Sequence, residues 1–180
     1  MPEGIELPEA HHHEHEDDPL VVPVSVTISI LAVLVAIVTL MGHRAHTEEL
    51  SRETQAASRW EQYQAKSIRQ RMTQIGSDVL SVVAPLDKAK GEQLAQKYEK
   101  EVEHYASDKE DVSKIAEGLE ADRDRAMRRA DRFDLGEVLL EIGLVICSLT
   151  LLAKKKIFWF GGTVVALVGL GVALTGFLMH

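Results

Sequence analysis

Three stretches of the chain are apolar enough to cross a lipid bilayer. Residues 20–42 and 157–179 contain no charged side chain and are long enough, since about 20 helical residues cross the hydrocarbon core. Residues 135–153 include Glu137 and Glu141, so this segment spans only if it takes Glu141 inside. The lysines at 154–156 form a basic turn that pairs this segment with the last one. The pattern predicts three transmembrane helices.

The region between the first two spans, residues 43–134, has the pattern of two long helices. Up to residue 83 it contains no Pro and a single Gly among strong helix formers. Pro85 lacks an N–H and disfavours helical geometry for the residue before it, and the helical pattern resumes beyond it. The sequence therefore predicts an all-α fold, in which a helical hairpin turning near Pro85 extends from spans one and two.

Apolar residues in the first arm of the hairpin recur at alternating spacings of four and three, which is the pattern of a coiled-coil seam: Ile68, Met72, Ile75, Val79 and Val82. Two arms with narrow seams make a thin core, and four aromatic residues add further apolar surface: Trp60, Tyr63, Tyr98 and Tyr105. We expect this surface to pack against other copies of the chain. The alternative is that the aromatic residues only close the hairpin.

Small residues form stripes on two of the predicted spans. On the third span the stripe consists of Gly162, Ala166, Gly169, Ala173 and Gly176. A related stripe on the first span consists of Ser25, Ser29, Ala32 and Ala36, continued by Thr39 and His43. Small residues allow membrane helices to approach closely, so both stripes predict helix packing, within the chain or between chains.

Two carboxylates and a serine share one face of the second span: Glu137, Glu141 and Ser148. In an antiparallel pair of spans, His43 and Arg44 lie level with Glu137, so we expect Glu137 to pair at the interface with one of them or with Arg132. Glu141 lies about two turns inside the boundary. A carboxylate at that depth faces a partner or water, which makes it either a structural hydrogen-bonding group or part of a cation or proton path.

The formal net charge of -8 is concentrated in the amino-terminal tail, residues 1–19, which contains acidic residues and no Lys or Arg. Both membrane ends of the hairpin are rich in Arg, whereas the opposite side offers only the lysines at 154–156. The positive-inside rule therefore predicts a cytoplasmic hairpin in a multi-pass protein. The length of the hairpin weakens this rule, and the three lysines in a tight turn favour the opposite orientation.

The tail combines imidazoles with carboxylates, at His11, His12, His13 and His15 beside Glu14, Glu16, Asp17 and Asp18. Such a tract is able to bind a divalent metal weakly, with His13 and His15 as the strongest ligands, or to sense pH. The competing interpretation is a disordered, solvated acidic tail. Cys147 has no nucleophilic partner in sequence, and the chain has no phosphate-binding or hydrolase motif. We therefore predict no enzyme and no cofactor.

Two segments of the sequence resemble a known family: WEQYQAKSIR at 60–69 and EIGLVICSLTLLAKKKIFWFGG at 141–162. The specific parts are YQAK at 63–66, the span containing Glu141 and Ser148, and Phe158-Trp159 at the start of span three. They resemble the bacterial membrane-protein family called domain of unknown function 4337, over nearly the whole chain. This resemblance implies three spans around a helical insert in a bacterial inner membrane, and it implies no activity.

These patterns predict a non-enzymatic integral membrane protein whose partners are the lipid bilayer and further copies of the chain or subunits of a larger membrane complex. It would serve as a self-associating scaffold or accessory subunit. The alternative is a small oligomeric ion or proton channel or transporter, with Glu141 in its path and the His tract as a sensor. Acidic residues interleave with the arginines at 123–132, which argues against nucleic-acid binding.

Overall fold

The computed structural model describes residues 19–83 and 87–178, and this part of the chain is built from three helices. Helix α1 runs from Val21–Val82, α2 from Lys88–Ala153 and α3 from Lys156–Leu178. The predicted all-α class is confirmed. Each helix contains a segment that is long and apolar enough to cross a membrane. In α1 and α2 this segment continues without a break into the polar arm, so each helix is about 90–100 Å long.

Helices α1 and α2 form an antiparallel hairpin with a seven-residue repeat. On α2 the repeat reads Gly91, Tyr98, Tyr105, Val112, Leu119, Ala126, Phe133, Leu140 and Cys147, all of them buried or half-buried. The pairing register of the two helices is nearly the same at both ends of the hairpin. Gly76 lies against Tyr98 near the tip, and Thr39 bonds Glu137 in the apolar segments. A strict seven-residue repeat keeps one face of each helix towards its partner over the whole length of the pair.

Both ends of the connection between the two arms are defined. The extended Val83 donates its N–H to the carbonyl of Val79 at 3.0 Å and closes α1. Asp87 caps α2 by accepting from the backbone N–H of Lys90 at 3.2 Å. Pro85 lies between these two ends and outside the described residues.

Helix α3 turns back along the apolar half of α2. The intervening turn is short because Lys154 takes the left-handed conformation, with φ 52°, and its N–H bonds the carbonyl of Thr150. Helix α3 contacts α1 through Trp159, whose indole N–H donates to the hydroxyl of Thr27 at 3.1 Å. The core of the apolar half therefore lies on α2, between its two neighbours.

The contact between α2 and α3 brings backbone against backbone. A Cβ added to Gly143 would lie 2.7 Å from the carbonyl oxygen of Gly162, and one added to Gly169 would lie 2.8 Å from that of Gly136. All five small residues of the predicted stripe on α3 are buried in this contact: Gly162, Ala166, Gly169, Ala173 and Gly176. The absence of side chains there allows the two helices to approach closely.

Candidate interaction surfaces

The apolar seam predicted in the first arm faces away from α2. Its five residues, which we call the outer seam, are between 56% and 84% exposed: Ile68, Met72, Ile75, Val79 and Val82. The spacing of the seam is regular, but the expectation that it contributes to the core of the hairpin is wrong. The structure instead leaves a continuous apolar stripe on the outer surface of the distal arm.

The continuity of α1 explains this difference. The residues of α1 that face α2 begin with the buried Val24, Leu31, Val38 and Ala45, and continue every seven residues to Lys66, Thr73 and Leu80. Because α1 is one unbroken helix, this repeat fixes its rotation along the whole arm. Ile68 lies two positions after Lys66, which turns the outer seam by about 200° from the facing positions.

The four aromatic residues are half-buried between the arms, which supports the alternative that they close the hairpin; their packing against other copies stays a prediction. Trp60 donates its indole N–H to Glu120 at 2.8 Å, and the ring of Tyr98 lies against Gly76. The ammonium group of Lys109 lies 5.2 Å from the centre of the Tyr63 ring. Tyr105 is half-buried in the same interface.

Polar contacts hold the arms together where the apolar residues point outward. Lys66 forms an ion pair with Asp108, and Lys109 donates to the side chain of Gln70 at 3.0 Å. The hydrogen bond from Lys66 lowers the pKa of the Asp108 carboxyl below its ordinary value. Partly exposed ion pairs contribute little each, so these polar contacts supplement the packing of Tyr98, Tyr105 and Val112 along the arm.

A histidine joins the arms where the apolar half of the hairpin ends. The ring of His46 contacts Asp134 on α2 at 3.0 Å through Nε2, and Glu49 on its own helix at 3.2 Å through Nδ1. The hydrogen bond with Asp134, followed by that with Glu49, raises the pKa of His46 above its ordinary value. One turn further along, Arg129 donates to Glu48 at 3.2 Å. Sequence reasoning missed His46, whose only local signal is the Glu three residues after it.

Glu137 bonds a residue other than the expected ones. It accepts from the hydroxyl of Thr39 at 2.6 Å, whereas we expected a partner among His43, Arg44 and Arg132. The reason is that the hydroxyl of Thr39 lies directly across the helix pair at the level of Glu137, while His43 and Arg44 are exposed beyond it.

Polar and small residues of both helices, including Glu141 and Ser148 on α2 and the small-residue stripe on α1, lie on one side of the α1–α2 pair, which we call the polar flank. Thr39 continues the stripe of small residues on α1, and Glu141 follows Glu137 by one turn on α2. Glu141 and Ser148 are exposed, as are the four stripe residues Ser25, Ser29, Ala32 and Ala36. These four are therefore not buried against another helix of this chain, in contrast to the stripe on α3. The polar flank lies opposite α3, which meets α1 at Thr27.

The structure shows no grouping of His, Cys, Asp and Glu able to hold a metal ion among residues 19–83 and 87–178. The predicted weak metal ligands His11, His12, His13 and His15 lie outside the described residues. Cys147 is fully buried, with its sulfur 3.7 Å from the carbonyl oxygen of Trp159. That sulfur is covered by α3.

The geometry defines a class of protein: an all-helical chain with three candidate membrane spans, two of which extend into one long hairpin with exposed apolar and polar surfaces. The chain belongs to the family described as domain of unknown function (DUF4337), whose sequence profile matches residues 21–179. The match confirms the resemblance to that family. No curated protein and no solved structure matches the chain.

Proposed function

We propose that the protein is a multi-pass protein of a bacterial inner membrane that self-associates and acts as a scaffold or accessory subunit of a membrane assembly. The observation that carries this proposal is the outer seam, five apolar side chains that are 56–84% exposed and form one continuous stripe along the arm. Contiguous exposed apolar surface on a soluble segment is typical of protein interaction sites.

The distance of the outer seam from the apolar half of the hairpin supports this interpretation. Ile68 follows Gly42, the last residue of the first predicted span, by 26 positions, so the seam begins about 40 Å from the membrane boundary. Lipid of the same membrane therefore cannot cover it while the helix stays straight. The simplest explanation is that another protein chain covers the outer seam.

Measuring the mass of the full chain in lipid nanodiscs tests the proposal. We expect a particle that contains more than one copy, or a stable complex with other membrane proteins when the chain is isolated from its native membrane. A single copy from both preparations would refute the proposal.

We place the hairpin in the cytoplasm, on the basis of the arginines at both of its membrane ends. Lys100 is exposed on the outer side of α2 and provides a test. A Lys100→Cys variant should react with a membrane-impermeant maleimide only after the cells are opened. Labelling of intact cells would contradict a cytoplasmic hairpin and indicate the opposite orientation in the membrane.

The exposure of Glu141 supports a second candidate function, an oligomeric ion or proton channel in which the polar flank lines the path. A carboxylate at the surface of a membrane helix requires a protein partner or water, and Glu141 is exposed with no side-chain partner among residues 19–83 and 87–178. In proteoliposomes, Glu141→Gln should then lower cation or proton flux several-fold, while Glu99→Gln on the arm leaves it unchanged. Equal flux in the two variants would exclude this function.

A further inference from the structure

The outer seam has the geometry of one strand of a coiled coil that lacks its partner. Its alternating spacings place Met72 and Val79 at one seam position of the heptad and Ile68, Ile75 and Val82 at the other. Knobs-into-holes packing requires a partner helix with the same spacing. The α1 helix of another copy has that spacing in the same surroundings.

The membrane restricts how two copies of α1 can meet. If the apolar half of α1 spans the bilayer, as the proposed function holds, then neighbouring copies in one membrane point the same way. Their outer seams then lie at the same height and meet in parallel. Helix α2 lies on the opposite side of α1, so it does not obstruct the contact.

The identity of the seam residues indicates how many copies assemble. A two-stranded parallel coiled coil favours a β-branched residue at the first seam position and Leu at the second, whereas Ile at the second position favours three or four strands. Here the second position holds Ile68, Ile75 and Val82, and the first holds Met72 and Val79. This arrangement fits more than two strands.

The area of the outer seam is small for an interface between soluble proteins, so the contact depends on anchoring in a common membrane. By the relation between transfer free energy and area, each such side chain offers about 60–120 Å² of apolar surface. Because these side chains are 56–84% exposed, ten of them across one contact give about 400–800 Å², which is below the roughly 1,200 Å² of stable interfaces between soluble proteins. Anchoring in one membrane raises the effective concentration of the copies and lowers the area that is needed.

We propose that three or four copies of this chain assemble in parallel through the outer seam, with α1 at the centre and α2 outside. This inference rests on the proposed membrane function and adds the partner, the contact surface and the number of copies. The contacts of His46 with Asp134 and Glu49, and the polar flank, lie between this contact and the ends of the apolar segments.

Disulfide cross-linking in native membranes tests the arrangement. Ile68→Cys and Val82→Cys lie at the two ends of the seam, and each should form disulfide-linked dimers at least ten-fold faster than Lys100→Cys. Lys100 is the matched control, because it lies on the outer side of α2 at about the height of Ile75. All three variants retain the buried Cys147. An antiparallel contact would join position 68 to position 82 and would leave each variant alone uncross-linked.

The mass in nanodiscs separates failure of this inference from failure of the proposed function. A trimer or tetramer with both seam positions cross-linked is the expected result. An oligomer without these cross-links would overturn the seam contact and leave self-association intact, whereas a single copy that is free of any complex would overturn both. A dimer would overturn the copy number.

A charge variant gives an independent readout. Met72 is 67% exposed, so Met72→Asp should leave the single chain folded, with unchanged helical circular dichroism. It should reduce the oligomer to single copies, while Lys100→Asp does not. A Met72→Asp protein that keeps its oligomeric mass would contradict the seam contact.

Discussion

The close contact of α2 with α3 allows a matched pair of substitutions two residues apart. Gly169→Ala places a Cβ at 2.7 Å from Leu139 and 2.8 Å from the carbonyl oxygen of Gly136, whereas Gly171→Ala places one in open space. Both gain about 0.5–1 kcal/mol from replacing Gly in a helix. Only Gly169→Ala incurs the overpacking cost, about 1–3 kcal/mol. The two variants should therefore differ by about 1–3 kcal/mol in the stability of the α2–α3 contact.

Cys147 reports this difference directly, because it is the only cysteine of the chain and α3 covers it. Alkylation in mild detergent requires α3 to move away, and its rate follows the population of the open form when closing is fast. A difference of 1–3 kcal/mol corresponds to a rate ratio of about 5–150 between the two variants. Equal alkylation rates for Gly169→Ala and Gly171→Ala would refute the backbone-to-backbone packing described above.

Three further predictions concern other contacts of the hairpin. The raised pKa of His46 means that its contribution is fully present below about pH 6.5 and is lost as the pH rises through the higher folded-state value. The midpoint of thermal unfolding should therefore fall over that range, and His46→Gln should remove this dependence. The hydroxyl of Thr39 lies 2.6 Å from Glu137 across the helix pair and 2.9 Å from the carbonyl oxygen of Val35 on its own helix. Thr39→Val removes the donor to Glu137 and should destabilise by about 1 kcal/mol in denaturant titrations, whereas Thr175→Val loses only a bond within its own helix and should not. Gly118→Ala meets nothing within 4 Å and should stabilise by about 0.5–1 kcal/mol, raising the thermal midpoint; a lower midpoint would contradict its open surroundings.

The sequence predicts the helices well because length, hydropathy and the absence of Pro act locally. The apolar stretches, the arms and the ends on either side of Pro85 follow from such patterns. The stripe of small residues from Gly162 to Gly176 is also predicted correctly as a packing face, since its spacing matches one face of a helix. That face is buried against α2.

The sequence does not predict which face of a long helix meets its neighbour. The stripe from Ile68 to Val82 has ideal spacing, yet the rotation of α1 is set some 30 residues earlier by Val38 and Ala45. The partner of Glu137 was missed for a related reason. Several donors lie near its level, and only the register of the pair selects Thr39.

The unbroken passage of α1 and α2 from the apolar half into the arm has a mechanical consequence. If the apolar segments span the bilayer, as the proposed function holds, a hairpin without a hinge behaves as a lever whose pivot lies in the bilayer. The tip at Val82 lies about 60 Å from the end of the predicted span, so a tilt of 5° moves it by about 5 Å. A change in bilayer thickness that re-tilts the helices would thus be amplified into a displacement at the outer seam, far from any lipid.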